Sequence, residues 1–388
     1  MLRSSFTNLF LLSGLLALVG AGCAGSKSDA ETAGQGQAVA STDSVPEVVP
    51  DSVMQRIYET VKTPHKYGLI LTPPADDKKL DCPSVFREGD RWYMTYIVYD
   101  GRGYETWLAE SPDLLQWTTT GKIMSFTDTT DWDTNQKAAY IALEDYEWGG
   151  NYQWQQYDGK YWMSYFGGSS RGYEQGLLSI GIAYSEQDPT QPHEWQRLEK
   201  PVLKATDEDA RWWENNTIYK SSVIWDKEER LGYPFLMYYN AKGDSLNPKR
   251  GKERIGMAVS NDMRTWERYH PEPILDHFTG ITGDPVIQKI GDVFVMFYFG
   301  AFWKDRPKEA FNRFACSYDL EHWTDWQGED LIHSSEPYDD LFAHKSFVVK
   351  HDGVVYHFYC AVNKADQRGI AVATSKDLGE STVHFAQR

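Results

Sequence analysis

The sequence predicts an all-β domain, a five-bladed β-propeller with four antiparallel strands to the blade, and three observations carry that expectation. A seven-residue pattern, Ser-x-Asp-(Leu/Met)-x-x-Trp, occurs at 111–117, 260–266 and 317–323, with a looser copy from Ser185 through Asp188 to Trp195 and a truncated one at Ser375, Asp377 and Leu378. An apolar strand ends on each of these five serines, at 107–111, 181–185, 256–260, 314–317 and 369–375. Further upstream in each unit lies an aromatic strand, at 92–96, 161–165, 235–239, 294–298 and 355–359. No long helical period separates the units, so repeated short strands around a channel describe the chain better than a β-sandwich, the second choice.

The elements follow in order. Arg3, the apolar stretch 9–19 and the small-residue run 20–23 form an export signal rather than a membrane span. The residues before Cys23 resemble the bacterial lipobox, although Gly20 stands where leucine is usual. Residues 1–23 are therefore expected to be a signal peptide and Cys23 the lipidated residue, placing an exported protein in the periplasm or at the cell surface with that lipid as its membrane contact. Residues 24–50 are small and polar and lack aromatics, the composition of a disordered tether, and residues 51–388 form the propeller domain. Val53, Met54, Ile57, Tyr58 and Val61 at its start have helical spacing.

Within the units, glycine-containing turns at 88–89, 158–159, 290–291 and 352–353 precede four of the aromatic strands and signal hairpins. A short strand such as 201–203 or 273–275 follows the tryptophan and completes the four. The last blade can be completed by residues 67–71 or by 382–385. Cys82, Cys316 and Cys360 have no metal-binding spacing, and buried free thiols are the expectation for them.

Composition narrows the function. A formal net charge of -17 argues against nucleic acid, whose phosphates require a basic face. The 15 Trp and 24 Tyr suit recognition of sugars, whose apolar faces stack on aromatic rings, as well as the filling of β-sheets. The partner expected is an oligosaccharide or polysaccharide.

In a propeller the first strand of each blade lines the channel, and at that register the sequence offers Asp81, Asn151, Lys220, Asp284 and the pair His344-Lys345. A purely structural core would be apolar there, because unpaired buried charge is costly. The blade pattern and the Asp81-Cys-Pro-Ser-Val opening of the first blade resemble the five-bladed propeller glycosidases of glycoside hydrolase families 43, 117 and 130, over residues 67–388. The resemblance to families 43 and 117 implies inverting hydrolysis, and that to family 130 admits phosphorolysis. The lysines at 220 and 345 depart from a three-carboxylate pattern.

Inversion uses a base and a protonated acid. Asp81 is expected as the base, Asp284 as acid, pKa modulator or sugar ligand, and Glu214, flanked by indoles, as the remaining acid. Glu144, Asp145 and Glu174 are further acidic candidates, and His344 is either a proton donor, as the family 117 resemblance implies, or a sugar ligand. Lys220, His344, Lys345, Arg171, Asn151 and Trp213 are expected to bind substrate, with Trp148, Trp154, Trp212 and Trp303 as additional pocket walls. No metal-ligand motif is present and no cofactor is expected, although the resemblance admits a channel calcium. Inserts around 127–148 and 240–252 favour a closed pocket and exo action. The rival readings are a glycoside phosphorylase and a non-catalytic sugar-binding lipoprotein.

Overall fold

The computed structural model describes residues 48–75, 77–128, 130–243 and 252–386. The signal peptide, Cys23 and all but the last residues of the tether lie outside them. One helix, α1 (Asp51–Val61), buries Met54, Ile57 and Val61, the apolar positions expected to share a face.

The remaining regular elements are strands. After β1 (His65–Leu71), β2 (Lys79–Glu88), β3 (Arg91–Tyr99), β4 (Tyr104–Ser111) and β5 (Thr118–Met124) form one antiparallel ladder. A second contains β6 (Gln136–Ala142), β7 (Tyr161–Gly168), β8 (Ser179–Ser185) and β9 (Gln196–Arg197), with β10 (Leu203–Lys204) also paired to β8. The third is β11 (Thr217–Trp225), β12 (Phe235–Lys242), β13 (Glu253–Ser260) and β14 (Glu267–Arg268). The fourth is β15 (Ile281–Ile290), β16 (Val293–Ala301), β17 (Ala310–Ser317) and β18 (Thr324–Asp325). Single parallel bridges, Tyr104 to Gln136, Ala142 to Val223 and Glu253 to Ile281, tie consecutive ladders together.

The final sheet has the order β1-β21-β20-β19, built from β19 (Phe342–His351), β20 (Val354–Val362) and β21 (Arg368–Thr374). Its fourth strand thus comes from the N-terminal side of the domain. The C-terminal segment contributes the bridge between Val383 and Leu69 and the bond from the Ser381 amide to the Tyr67 carbonyl at 2.7 Å.

The aromatic strands are β3, β7, β12, β16 and β20, and each sits between two partners in its sheet. Both of their faces are covered, as in β16 and β20, which are buried along their whole length. This is why they read as continuous apolar runs rather than alternating ones. Cys82, Cys316 and Cys360 are buried free thiols, as expected.

The Ser-x-Asp repeat has a local physical cause. Ser260 Oγ accepts from the Asp262 and Met263 amides, and Asp262 Oδ1 accepts from the Arg264 and Thr265 amides at 2.8 and 2.7 Å. The same bonds recur at Ser111-Asp113 and Ser317-Asp319. The residue after each aspartate takes a left-handed backbone, with φ of 68° at Leu114, 63° at Met263 and 70° at Leu320, so the two side chains satisfy amides that the tight turn removes from the ladder. Replacing Asp262 with alanine is expected to lower the unfolding free energy by about 1 kcal/mol, read by urea denaturation, as for other local side-chain caps of backbone amides.

Candidate active site

Four first strands break register at one level: between Asp81 and Ser84, Tyr219 and Ser221, Gly283 and Val286, and His344 and Phe347. At each break one non-glycine residue has positive φ, with Cys82 at 48°, Lys220 at 43°, Asp284 at 53° and Lys345 at 66°. Such a backbone is sterically costly, and a bulge re-aims the side chain it carries. The first strand of the second ladder, β6, pairs without a break. It brings Tyr140, whose hydroxyl lies 3.6 Å from the Cys82 sulfur.

Asn151, which the sequence placed at this register, is instead exposed in the loop after β6, and Tyr140 occupies the level. In β2 the bulged residue is Cys82, and Asp81 precedes it as His344 precedes Lys345.

The charges at this level are buried and paired. Asp81 accepts from Lys345 Nζ at 2.5 Å and from the Tyr173 hydroxyl at 3.2 Å, with Arg368 at 3.5 Å. Burial alone would raise its carboxyl, but Lys345 and then Arg368 hold it well below the usual carboxylate range. Lys220 lies 3.0 Å from Glu174 and 3.7 Å from Asp284. Asp284 accepts from Asn240 Nδ2 at 2.9 Å, an approach that the missing side chain of Gly283 permits, since a Cβ there would lie 2.3 Å from the same nitrogen. Burial pushes the Asp284 carboxyl up, against the pull of Lys220. His344 Nδ1 donates to the Cys360 carbonyl at 3.2 Å, and burial, then Lys345, drives its pKa well down, so the ring is neutral near pH 7.

A pocket of about 140 Å³ opens above these groups, with Tyr173, Glu174, Glu253, His344 and Arg368 in its wall and Phe299, Phe302 and Phe342 on its apolar side. A second space of about 50 Å³ is lined by Tyr140, Glu144, Ser221 and Asp284 among others. Lys220 and Lys345 line both spaces. Asp81 lines neither.

Two carboxylates share one cation on the pocket wall. Lys242 Nζ lies 3.0 Å from Glu253 Oε1 and 4.0 Å from Glu174 Oε2. Burial would raise the Glu174 carboxyl, but Lys220, followed by Lys242 and Lys345, outweighs it and lowers the pKa to about 2. Glu253 Oε2 is buried and makes no hydrogen bond.

Glu214 is not in this pocket. It is fully buried, accepting from Arg268 Nε and the Tyr239 hydroxyl at 2.5 Å each and from the Arg211 amide at 2.9 Å. The expectation of a desolvated acid is corrected to a structural ion pair. Trp213 likewise packs in a core cluster and donates its indole N–H to Pro271, and Arg171 is an exposed loop residue. Trp148 and Trp154 pack on Phe297 and Trp195, whereas Trp212 is 52% exposed.

Sequence reasoning did not single out Glu253, Arg368 or Tyr173. A signal for two of them was present: seven residues before the five strand-ending serines stand Tyr104, Leu178, Glu253, Ala310 and Arg368, the last three of which line the pocket.

Among the described residues one donor set has metal-like proximity, Asp81, His344 and Cys360, with ligand atoms within 4.8 Å of one another. It does not suit calcium, which takes oxygen ligands, and Lys345 and Arg368 already neutralise its one carboxylate.

No family model and no curated protein matches the chain. Solved structures do. A glycoside hydrolase is 53% identical, covering 87% of this chain and 99% of its own, with a TM-score of 0.84. BT0996, solved as an RGII complex, is 55% identical with the same coverages and a TM-score of 0.85. A thermostable family-43 glycoside hydrolase shares the fold at 18% identity and a TM-score of 0.53, over 78% of this chain and 91% of its own. The chain belongs to the propeller superfamily of glycoside hydrolases, and its activity is that of a glycosidase.

Proposed function

We propose that this protein is an exo-acting glycosidase in which Glu174 and Glu253 flank the bond being cut, in a five-bladed propeller of four antiparallel strands per blade. The observation that carries the assignment is the shared Lys242, which ties together two carboxylates on the wall of a pocket that Lys220 and Lys345 also line. A pocket of about 140 Å³ favours a chain end over a chain passing through. The four ladders and the β1-β21-β20-β19 sheet, each with four principal strands, support the blade count.

Glu174, held ionised by its lysines, serves as the carboxylate that activates water or attacks carbon, and Glu253 supplies the proton to the leaving oxygen. The two contacts of Lys242 place the facing oxygens no more than about 7 Å apart, which spans retaining separations of ~5–5.5 Å and the lower end of inverting ones at ~6.5–9.5 Å. Inversion remains the proposal, on the resemblance to families 43 and 117. Asp81 and Asp284 fix Lys345 and Lys220 from below, while His344 and Arg368 hold sugar hydroxyls. The N-terminal pattern supports an exported enzyme anchored through Cys23.

The 55% identical neighbour makes RGII oligosaccharide the first glycan to test. The domain from Ser44 is incubated with it, with and without phosphate, and products are followed by chromatography and by NMR of the nascent anomer. A single terminal sugar released from the first turnover, in inverted configuration and independently of phosphate, is expected. Internal fragments would refute exo action, a retained anomer would refute inversion, and sugar phosphate would establish the phosphorylase instead.

A further inference from the structure

We propose that Phe278 and Phe302 form an aromatic shelf at the pocket mouth that holds the sugar on the leaving-group side of the bond. The inference rests on the pocket assigned above and extends it to the rest of the substrate. Both rings are in water, Phe278 at 75% and Phe302 at 46% exposure. Both residues also have a left-handed backbone, φ 60° and 56°, a conformation that a bulky side chain disfavours. Exposure and backbone strain together are a double cost, of the kind retained where function requires it.

The frame under the rings is rigid. The Phe278 amide donates to Asp276 Oδ1 at 2.7 Å, and Arg254 holds the other oxygen of that carboxylate at 2.8 Å. The loop carrying Phe278 is pinned to the one carrying Phe302 by Lys304 N to Thr279 Oγ1 at 2.9 Å and Trp303 Nε1 to Ile281 O at 2.7 Å, and His277 stacks on Trp303 at 3.7 Å. Gly280 lets the loops touch, since a Cβ there would lie 2.1 Å from the Ala301 carbonyl.

The shelf is continuous with the chemistry. Phe302 lines the pocket and meets Phe342 edge to face at 5.8 Å, and the Glu253 amide donates to the Gly280 carbonyl at 3.0 Å. Uncharged rings beside the proton donor fit the apolar C–H face of a neutral sugar, and the unit adjoining the scissile bond is the one within reach.

The test compares Phe278→Ala, Phe278→Gly and Phe278→Trp on two substrates: RGII oligosaccharide, and the glycosyl fluoride of the released sugar, whose leaving group is too small to reach the shelf. The alanine and glycine variants are expected to lose about three- to tenfold in kcat/KM on the oligosaccharide, mainly through KM, while fluoride turnover holds, the thermal midpoint does not fall, and tryptophan restores the loss. Calorimetric binding of the same oligosaccharide to Glu253→Gln, with and without Phe278→Ala, separates the two ideas. Weaker binding on loss of the ring supports the shelf even if Glu253→Gln proves fully active and the pocket assignment fails. Unchanged oligosaccharide kinetics and binding, or an equal fall on the fluoride, overturns the shelf.

Discussion

Glutamine in place of Glu174 is expected to lower kcat on an oligosaccharide by about 10²- to 10⁴-fold, the usual cost of removing a carboxylate that acts at the reacting centre, while Lys220 keeps Asp284 at 3.7 Å as its remaining anion. Glu253→Gln is expected to lose a similar factor on the same substrate but far less on a dinitrophenyl glycoside, whose leaving group needs no proton. Asp81→Asn behaves differently in this arrangement. Asp81 lines neither of the two spaces described above, and the change leaves Lys345 buried without its nearest anion, so its first effect is on stability. An Asp81→Asn enzyme that melts normally and yet is dead, beside an active Glu174→Gln, would return the base to Asp81.

The pH profile gives an independent reading of Glu174. The carboxylate must be ionised to act, and its cations depress its pKa to about 2. Activity is then present above that value and is lost only as the pH falls through it. The acid limb of kcat/KM should therefore lie well below the free glutamate value of about 4.3. A limb at or above that value would mean that the lysines do not hold this group in the working enzyme.

The repeats were readable because they are local: an aromatic second strand, a third strand ending on serine, and a turn whose aspartate collects two amides all leave a mark within a few residues. The bulged level was readable for the same reason, and it brought Asp81, Lys220, Asp284, His344 and Lys345 together. The partners that decide what those residues do are distant. Glu214 after two indoles has the sequence look of a desolvated acid, but Arg268 reaches it from β14 and turns it into a buried ion pair. Glu253 looks like an ordinary charged strand start, and only Lys242 across the β12–β13 ladder, with Glu174 on the far side, makes it half of a pair. Tyr173 and Glu174 come from the loop between β7 and β8, which has no repeat to align.

The largest expected effect on stability belongs to the base of the site. Lys345→Met should cost about 3–5 kcal/mol in urea unfolding at pH 7, because it strands the Asp81 carboxylate in a buried place with Arg368, at 3.5 Å, as the cation left in contact. The sign of its pH dependence is distinctive. In the native protein the folded-state pKa of Asp81 lies below the unfolded value of about 3.9, so the pair stabilises above that value and its contribution is lost as pH falls through the folded pKa. Without Lys345 the burial that opposes ionisation is less offset, the folded pKa rises, and acid relieves the stranded charge. The gap between native and variant stability should therefore narrow from pH 7 to pH 4. A gap that stays constant over that range would mean that Lys345 supports the fold through packing of its chain and not through its charge on Asp81.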